Sequence, residues 1–217
     1  MVIAIDGPAG TGKGTISKLI ADRLGYIYID TGAMYRAITL KTIRENIKLE
    51  EIDKIEKMLI DTVIDFGEAQ KVFMDGEDVT SEIRMPKVSE EVPYVSSLKI
   101  IRENLVAKQR ALGLNKNIVM EGRDITTVVF PNADLKIYLT ADASERAKRR
   151  YDEMVEKGIT TTYDEVYTAI LKRDETDMNK EIGALKIAED AIVVDSTGKS
   201  IEEVYNEILK YIKMKGE

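Results

Sequence analysis

The chain opens with a short apolar run that passes directly into a glycine-rich turn and then into a helical pattern. The run is Val2-Ile3-Ala4-Ile5-Asp6, and the turn is Gly7-Pro8-Ala9-Gly10-Thr11-Gly12-Lys13-Gly14-Thr15. Apolar residues then repeat at helical spacing, at Ile16, Leu19, Ile20 and Leu24. A strand, a glycine-rich loop and a helix in this order indicate a phosphate-binding P-loop, in which backbone N–H groups and the positive end of the helix hold an anion.

This loop predicts a binding site for the phosphates of a nucleoside triphosphate. The predicted phosphate-binding residues are Gly7, Pro8, Ala9, Gly10, Thr11, Gly12, Lys13, Gly14 and Thr15. Lys13 has the reach to contact the outer phosphates and is predicted to be catalytic. Gly14 stands where the usual motif has Ser or Thr, so Thr15 is predicted to contribute to a Mg²⁺ shell. The alternative is a glycine-rich turn that binds nothing, but strand, four spaced glycines, Lys and Thr coincide here.

The composition restricts the chemistry that is available. The chain has 217 residues and contains neither cysteine nor histidine. Disulfides, thiolate zinc sites and cysteine nucleophiles are therefore excluded, as is the commonest general base. Catalysis must rest on carboxylates, Lys, Arg, backbone amides and a hard metal ion.

The charge and hydropathy patterns restrict the partners and the location. The formal net charge of −7 argues against nonspecific binding to nucleic-acid backbones. No apolar run is long enough to span a membrane, and Asp6 interrupts the first one, unlike a signal peptide. We therefore expect a cytoplasmic protein that binds small molecules and neither nucleic acid nor membrane.

The order of the predicted elements indicates an α/β fold. Strands separated by helices predict a parallel sheet with helices on both faces, whose ligand lies at the carboxyl ends of the strands. Asp6, Asp30-Thr31 and Glu121-Gly122 all fall at predicted strand ends and should gather around one crevice. Glu121 is therefore predicted to hold Mg²⁺, directly or through water, the alternative being an acid that faces solvent.

One segment departs from this alternation. After a predicted amphipathic helix over 49–61, alternating stretches at 62–66 and 71–74 and the turn Asp75-Gly76 predict a small antiparallel sheet, with Val79 closing a third strand. Pro86 and Pro93 are expected to break the chain between 82 and 97. Thr31 is a candidate helix cap.

Several further motifs, taken in order, resemble bacterial-type cytidylate kinase, a nucleoside monophosphate kinase family. They are the P-loop variant Gly-x-x-Gly-x-Gly-Lys-Gly-Thr, Asp30-Thr31-Gly32-Ala33-Met34-Tyr35-Arg36, Gly122-Arg123-Asp124, Thr127-Val128-Val129-Phe130-Pro131 and Asp195-Ser196-Thr197. The resemblance covers essentially the whole chain. It implies a P-loop NTPase-type core with a five-stranded parallel sheet, a monophosphate-binding insert that contains the small antiparallel sheet, and a mobile helical lid. The implied bounds are core at 1–34, 104–146 and 183–217, insert at 35–103, and lid at 147–182.

The resemblance also implies the reaction and the residues that carry it. The reaction is ATP-dependent phosphorylation of CMP and dCMP to CDP and dCDP by direct in-line phosphoryl transfer, with Mg²⁺, in a monomer. The implied CMP-binding residues are Thr31, Tyr35, Arg36, Arg102, Arg123, Asp124, Arg173 and Asp177. Lys13, Arg123, Arg146 and Arg150 are implied to be catalytic, and Arg146 and Arg150 match lid arginines that approach the transferred phosphoryl group. Among the CMP-binding residues, Arg102 and Asp124 match cytosine-recognising positions, and Arg36 and Arg123 match positions that hold the CMP phosphate.

The sequence departs from the family pattern at three positions. Thr126 stands where the family often has Gly, Pro93 falls near a position that is a base-contacting Ser in some members, and Lys180 replaces an Arg of some members.

Three alternatives remain. Adenylate kinase, of the same fold, carries a different, Phe-Pro-Arg-containing run after the strand that ends at Glu121. A GTP-dependent switch usually needs Asn-Lys-x-Asp, whereas Asn115-Lys116-Asn117-Ile118 lacks the final Asp and precedes a strand. An inactive nucleotide-binding module would fail to form CDP.

Overall fold

The computed structural model describes residues 1–67, 71–114, 116–156 and 158–216. The strands are β1 (Val2–Asp6), β2 (Ile27–Asp30), β3 (Ile64–Phe66), β4 (Val72–Met74), β5 (Glu77–Asp78), β6 (Ile118–Gly122), β7 (Leu135–Thr140) and β8 (Ile192–Asp195). The helices are α1 (Lys13–Leu24), α2 (Thr31–Arg44), α3 (Ile52–Asp61), α4 (Pro86–Val95), α5 (Lys99–Gly113), α6 (Ala143–Glu156), α7 (Tyr163–Met178) and α8 (Ile201–Gly216). A short 3₁₀ helix spans Glu82–Arg84, and a π-helical segment spans Ile125–Val129. Asn115 of the Asn-Lys run lies outside the described residues.

Within the described ranges, five strands form a parallel sheet in the order β2-β6-β1-β7-β8, as predicted. β1 is the central strand of this order, and its residues Ile3, Ala4 and Ile5 are fully buried, as suits a strand covered on two faces. Asp6 at its end is paired in register with Gly122 of β6 and Tyr138 of β7. The carboxyl ends of these three strands therefore lie along one edge of the sheet.

The core beside this sheet is formed by β-branched and leucine side chains of the strands and of two helices. Ile16 and Ile20 of α1 and Val204 and Ile208 of α8 pack with the strand residues, including Ile5. Full burial of each such side chain contributes about 1.5–3 kcal/mol to folding. α1 and α8 are thereby fixed against the sheet, and α1 carries the end of the glycine-rich loop.

The chain divides into two compact units by its internal contacts. The first consists of Met1–Tyr28 and Gly113–Glu217, and the second is Ile29–Leu112, so the boundary falls within β2. The second unit contains the antiparallel sheet β3-β4-β5, which confirms the predicted small sheet. The lid and insert bounds implied by the resemblance stay predictions.

Three local expectations were wrong. Pro86 and Pro93 do not break the chain, because Pro86 occupies the first turn of α4, where its missing N–H is harmless, and Pro93 is tolerated within the helix. Asp30 rather than Thr31 caps α2, since its carboxylate accepts a 3.0 Å bond from the N–H of Ala33. The third short strand ends one residue before Val79.

In the ranges that the structure describes, no helix is both long and apolar enough to cross a membrane.

Candidate active site

The glycine-rich loop joins β1 to α1 as the sequence predicts. Gly10 and Gly12 have φ of 79° and 89°, which glycine adopts without steric cost, and α1 begins at Lys13. Side chains from outside the loop bind its carbonyls. Arg146 Nη1 donates to Ala9 O at 3.0 Å, and Ser196 Oγ donates to Thr11 O at 3.1 Å.

These two outer bonds orient the loop's peptide groups. In a trans peptide the N–H points opposite to the carbonyl before it, so the N–H groups of Gly10 and Gly12 point away from Arg146 and Ser196. Backbone N–H groups with this orientation are suited to donate hydrogen bonds to a bound anion.

Lys13 is buried inside this loop. Its Nζ donates to Pro8 O at 2.7 Å, and its side chain is 5% exposed. Burial, reinforced by the positive charge of Arg123, lowers the pKa of the Lys13 ammonium, whereas the carboxylates of Glu121, Asp6 and Asp177 act to raise it. The negative charge of a phosphate beside Lys13 would stabilise the charged ammonium, which burial disfavours.

Glu121 is a buried carboxylate at the end of β6, beside the start of α1. Its Oε1 accepts a 2.7 Å hydrogen bond from the hydroxyl of Tyr28. A Cβ added to Gly14 would lie 2.9 Å from the same oxygen. Gly14 thus leaves room for the carboxylate of Glu121 at the place where the usual motif carries a hydroxyl side chain. Thr15, the other predicted metal residue, is exposed on α1.

A second group of charged residues surrounds Asp177 of α7. Arg123 Nε lies 2.8 Å and Arg173 Nε 3.3 Å from Asp177 Oδ2, and Lys180 Nζ lies 3.3 Å from Oδ1. We call Arg123, Arg173, Asp177 and Lys180 the cationic cluster. Burial acts to raise the pKa of Asp177, but Arg123, Arg173 and Lys180 outweigh it and lower the pKa to about 2. Three cations against one carboxylate leave an excess of positive charge that suits an anion.

Asp124 lies between Arg123 and the π-helical segment. It is 5% exposed, and its backbone has φ −141° and ψ 26°. Its carbonyl accepts hydrogen bonds from Val128 and Val129 at 2.8 and 3.2 Å. These two bonds tie the carbonyl of the predicted base-reading residue to the segment that follows it.

The two predicted lid arginines lie in different surroundings. Arg146 of α6 is 4% exposed, and its guanidinium pairs with Asp174 of α7 at 2.6 Å in addition to its bond to Ala9. The Arg150 side chain is 53% exposed and pairs with Glu153 at 2.9 Å. Arg146 is thus joined to the P-loop, whereas Arg150 lies on the surface of α6.

The remaining predicted CMP-binding residues belong to the second unit. Thr31, Tyr35 and Arg36 lie on α2, and the first two are buried. Arg102 of α5 is also buried, and its guanidinium carbon lies 5.7 Å from the centre of the Tyr35 ring. Tyr35 and Arg102 therefore lie close together in the second unit.

Sequence reasoning assigned no specific role to several residues that shape the first unit's site. Asp6 accepts three hydrogen bonds from residues 125 and 126, Ser196 binds the P-loop, and Asp174 binds Arg146. The position of Asp6 at a strand end was a signal for the site, but its partners are more than 100 residues away in sequence. Ser196 lies in the Asp-Ser-Thr motif, to which the residue pattern alone assigns no role.

Comparison with known proteins gives a consistent result. The family model described as cytidylate kinase matches residues 3–214. A cytidylate kinase of Caldicellulosiruptor saccharolyticus is 53% identical over 211 residues, which cover 96% of this chain and 93% of that protein. A cytidylate kinase of Bacillus subtilis is 45% identical over 216 residues, covering 98% and 96%. The structure of an uncharacterized protein from Eubacterium ventriosum matches with a TM-score of 0.55 at 13% identity, covering 98% of each chain, and shares the fold.

Proposed function

The chain belongs to the cytidylate kinase family, and we propose that it transfers the γ-phosphoryl group of ATP directly to the phosphate of CMP or dCMP. The observation that carries this proposal is the pair of anion-attracting groups in the first unit. Lys13 in the P-loop suits the triphosphate, and the cationic cluster suits the monophosphate. Arg123 lies close enough to Lys13 for its positive charge to act to lower the pKa of the Lys13 ammonium.

The chemistry of the reaction agrees with a chain that has no histidine. The attacking atom is an oxygen of the monophosphate, whose second pKa is about 6, so the nucleophile is already largely ionised at neutral pH. No general base is required. The barrier arises instead from bringing two anions together, and residues lower it by orienting them in line and by spreading charge.

The residues of the first unit divide this work. The N–H groups of the P-loop and Lys13 hold the triphosphate, while Arg123 and Arg173 hold the acceptor phosphate. Arg146 and Arg150 are proposed to stabilise the charge that develops on the transferred group. Asp124 accepts hydrogen bonds only, which suits the amino group of cytosine.

Glu121 fits a role in holding Mg²⁺, directly or through water, because Gly14 leaves space beside its carboxylate. Thr15 is proposed as a further oxygen donor. When bound with ATP, Mg²⁺ would neutralise charge on the β- and γ-phosphates.

We propose that the segment 147–182 acts as the lid that excludes water during transfer. α6 and α7 pack on each other through Ala147, Val166 and Ile170, and so have a small core of their own. A lid with its own core can move without unfolding.

Incubation with Mg²⁺-ATP and each of CMP, dCMP, UMP, AMP and GMP tests the proposal, with nucleotides separated by chromatography. We expect one CDP per ADP, and kcat/KM for CMP and dCMP at least tenfold above that for AMP and GMP. Preference for AMP would support the adenylate kinase alternative. Formation of ADP and free phosphate from ATP, with every added monophosphate left unphosphorylated, would contradict a kinase.

A further inference from the structure

Asp6 is a fully buried carboxylate that binds one short stretch of backbone through three hydrogen bonds. Oδ1 accepts from the N–H of Ile125 at 2.9 Å, and Oδ2 accepts from the N–H of Thr126 at 2.7 Å. The Thr126 hydroxyl also donates to Oδ2, at 2.7 Å. Burial raises the pKa of Asp6, while the bonds from Thr126 and Ile125 act to lower it.

The donors that Asp6 binds are the first N–H groups of the π-helical segment. Asp124 precedes this segment, but its side chain makes no capping hydrogen bond to it. Asp6 caps the segment instead, from a different strand. Because the cap fixes the peptide groups of residues 125 and 126, it also limits the backbone angles of Asp124 and hence the direction in which Arg123 and Asp124 present their side chains.

Asp6 itself has little freedom to move. β1 is paired on both sides at this residue, with Gly122 and with Tyr138. The following residue, Gly7, packs so closely that an added Cβ would lie 2.0 Å from Leu139 O. One rigid residue therefore connects the start of the P-loop to the loop that carries Arg123 and Asp124.

We propose that Asp6 and the Thr126 hydroxyl are positioning residues for the acceptor nucleotide: they fix the backbone of Arg123 and Asp124 and so set how tightly CMP binds, without touching it. The inference rests on the proposed function, which assigns CMP to Arg123 and Asp124. It gives a role to Thr126, the position at which the chain departs from the Gly of the family pattern.

Thr126→Val is the most informative variant, because it removes one donor and keeps the side-chain volume and both backbone bonds. Asp6→Asn would place an amide donor against two N–H groups at a fully buried site, and misfolding would obscure its effect. Thr126→Ser keeps the hydroxyl and serves as the rescue variant. Thr127→Val makes the same chemical change at the next residue, whose side chain is only partly buried.

Two readouts are needed, namely calorimetric titration with CMP alone or with a nonhydrolysable ATP analogue, and amide hydrogen exchange at residues 125 and 126. For Thr126→Val we expect CMP affinity to fall about five- to tenfold. Affinity for the ATP analogue should stay within about twofold, and exchange at the two amides should speed up about tenfold or more. Thr126→Ser and Thr127→Val should match the wild type within about twofold.

The inference is overturned if Thr126→Val leaves both CMP affinity and amide exchange unchanged. It is also overturned if Thr126→Val weakens CMP and the ATP analogue equally, since that pattern indicates a general loss of structure. If the wild type fails to bind CMP, the proposed function fails, and the exchange rates of the same variants decide whether Asp6 and Thr126 hold the loop.

Discussion

The P-loop at 7–15 and the loop at 122–129 both follow strands of the same sheet, but they are held in place differently. In the P-loop, side chains of Arg146 and Ser196 donate hydrogen bonds to backbone carbonyls, and the N–H groups of the same peptides point the opposite way. In the second loop, the carboxylate of Asp6 accepts hydrogen bonds from backbone N–H groups, and the charged side chains of Arg123 and Asp124 are the groups proposed to contact the acceptor nucleotide. The proposed binding role of the first loop thus depends on the conformation of its own backbone. That of the second loop depends on charged side chains that residues distant in sequence hold in place.

The largest expected effect tests the P-loop. Lys13→Ala should lower kcat about a thousandfold or more, because it removes the cation that is proposed to contact the triphosphate. Stability should change little, since burial disfavours the charge that is removed, while the loss of the hydrogen bond to Pro8 O acts in the opposite direction. Steady-state turnover and thermal unfolding measure the two effects, and Lys18→Ala on the same helix is the control. Turnover of Lys13→Ala within a few-fold of wild type would refute the assignment.

The next effect separates a residue that shapes the P-loop from one that does not contact it. Arg146→Ala should lower kcat/KM for ATP about a hundredfold for two reasons. The carbonyl of Ala9 and the carboxylate of Asp174 lose their partner, and the transition state loses a stabilising cation. Arg150→Ala should lower kcat about tenfold and leave the KM for ATP unchanged. Lys148→Ala, an exposed neighbour paired with Asp152, is the control. An Arg150→Ala profile equal to that of Lys148→Ala would remove Arg150 from the catalytic residues.

A third prediction tests the buried charges of the second region through pH. The folded-state pKa of Asp177 is about 2, below the ordinary value of 3.8, so its ionised form stabilises the fold above about pH 4. This stabilisation is lost as the pH falls toward 2, and it amounts to about 2 kcal/mol.

Urea unfolding of the wild type and Asp177→Asn between pH 5 and pH 2 measures this term. The difference in unfolding free energy between the two proteins should shrink by about 2 kcal/mol over that range. Asp164→Asn changes an exposed aspartate of the same helix and is the control. A difference that is independent of pH would show that the ion pairs around Asp177 are not formed.

The smallest expected effect concerns base choice. Asp124→Asn should lower the ratio of kcat/KM for CMP to that for UMP about tenfold, because an amide can donate to the uracil carbonyl and a carboxylate cannot. Steady-state rates with both substrates give the ratio. Equal losses toward CMP and UMP would mean that Asp124 supports the loop without reading the base.

The extent to which the sequence predicts this molecule follows the same division. The glycines of the P-loop, Lys13 and the start of α1 are adjacent in sequence. A contiguous pattern therefore suffices to predict the loop. The parallel sheet and the small antiparallel sheet are also confirmed. Both could be predicted because strand periodicity and the Asp75-Gly76 turn are short-range signals. Pro93 shows the limit of such signals, since it lies inside α4 although proline usually ends or kinks a helix.

The second region could not be predicted in the same way. The bond between Arg123 and Asp177 joins residues 54 positions apart, and the bond that the N–H of Ile125 donates to Asp6 joins residues 119 positions apart. No periodicity relates such residues. Only the register of β1 against β6 brings Asp6 to Gly122 and fixes which backbone groups it can bind.

The central claim is that the P-loop holds the donor and the second loop holds the acceptor. Calorimetric titration of Lys13→Ala and Arg123→Ala with CMP alone, and separately with a nonhydrolysable ATP analogue, tests it most directly. Lys13→Ala should bind CMP within about threefold of the wild type and lose affinity for the ATP analogue, and Arg123→Ala should lose CMP affinity about tenfold or more and keep the ATP analogue. Equal loss of CMP binding in both variants would contradict the division of roles.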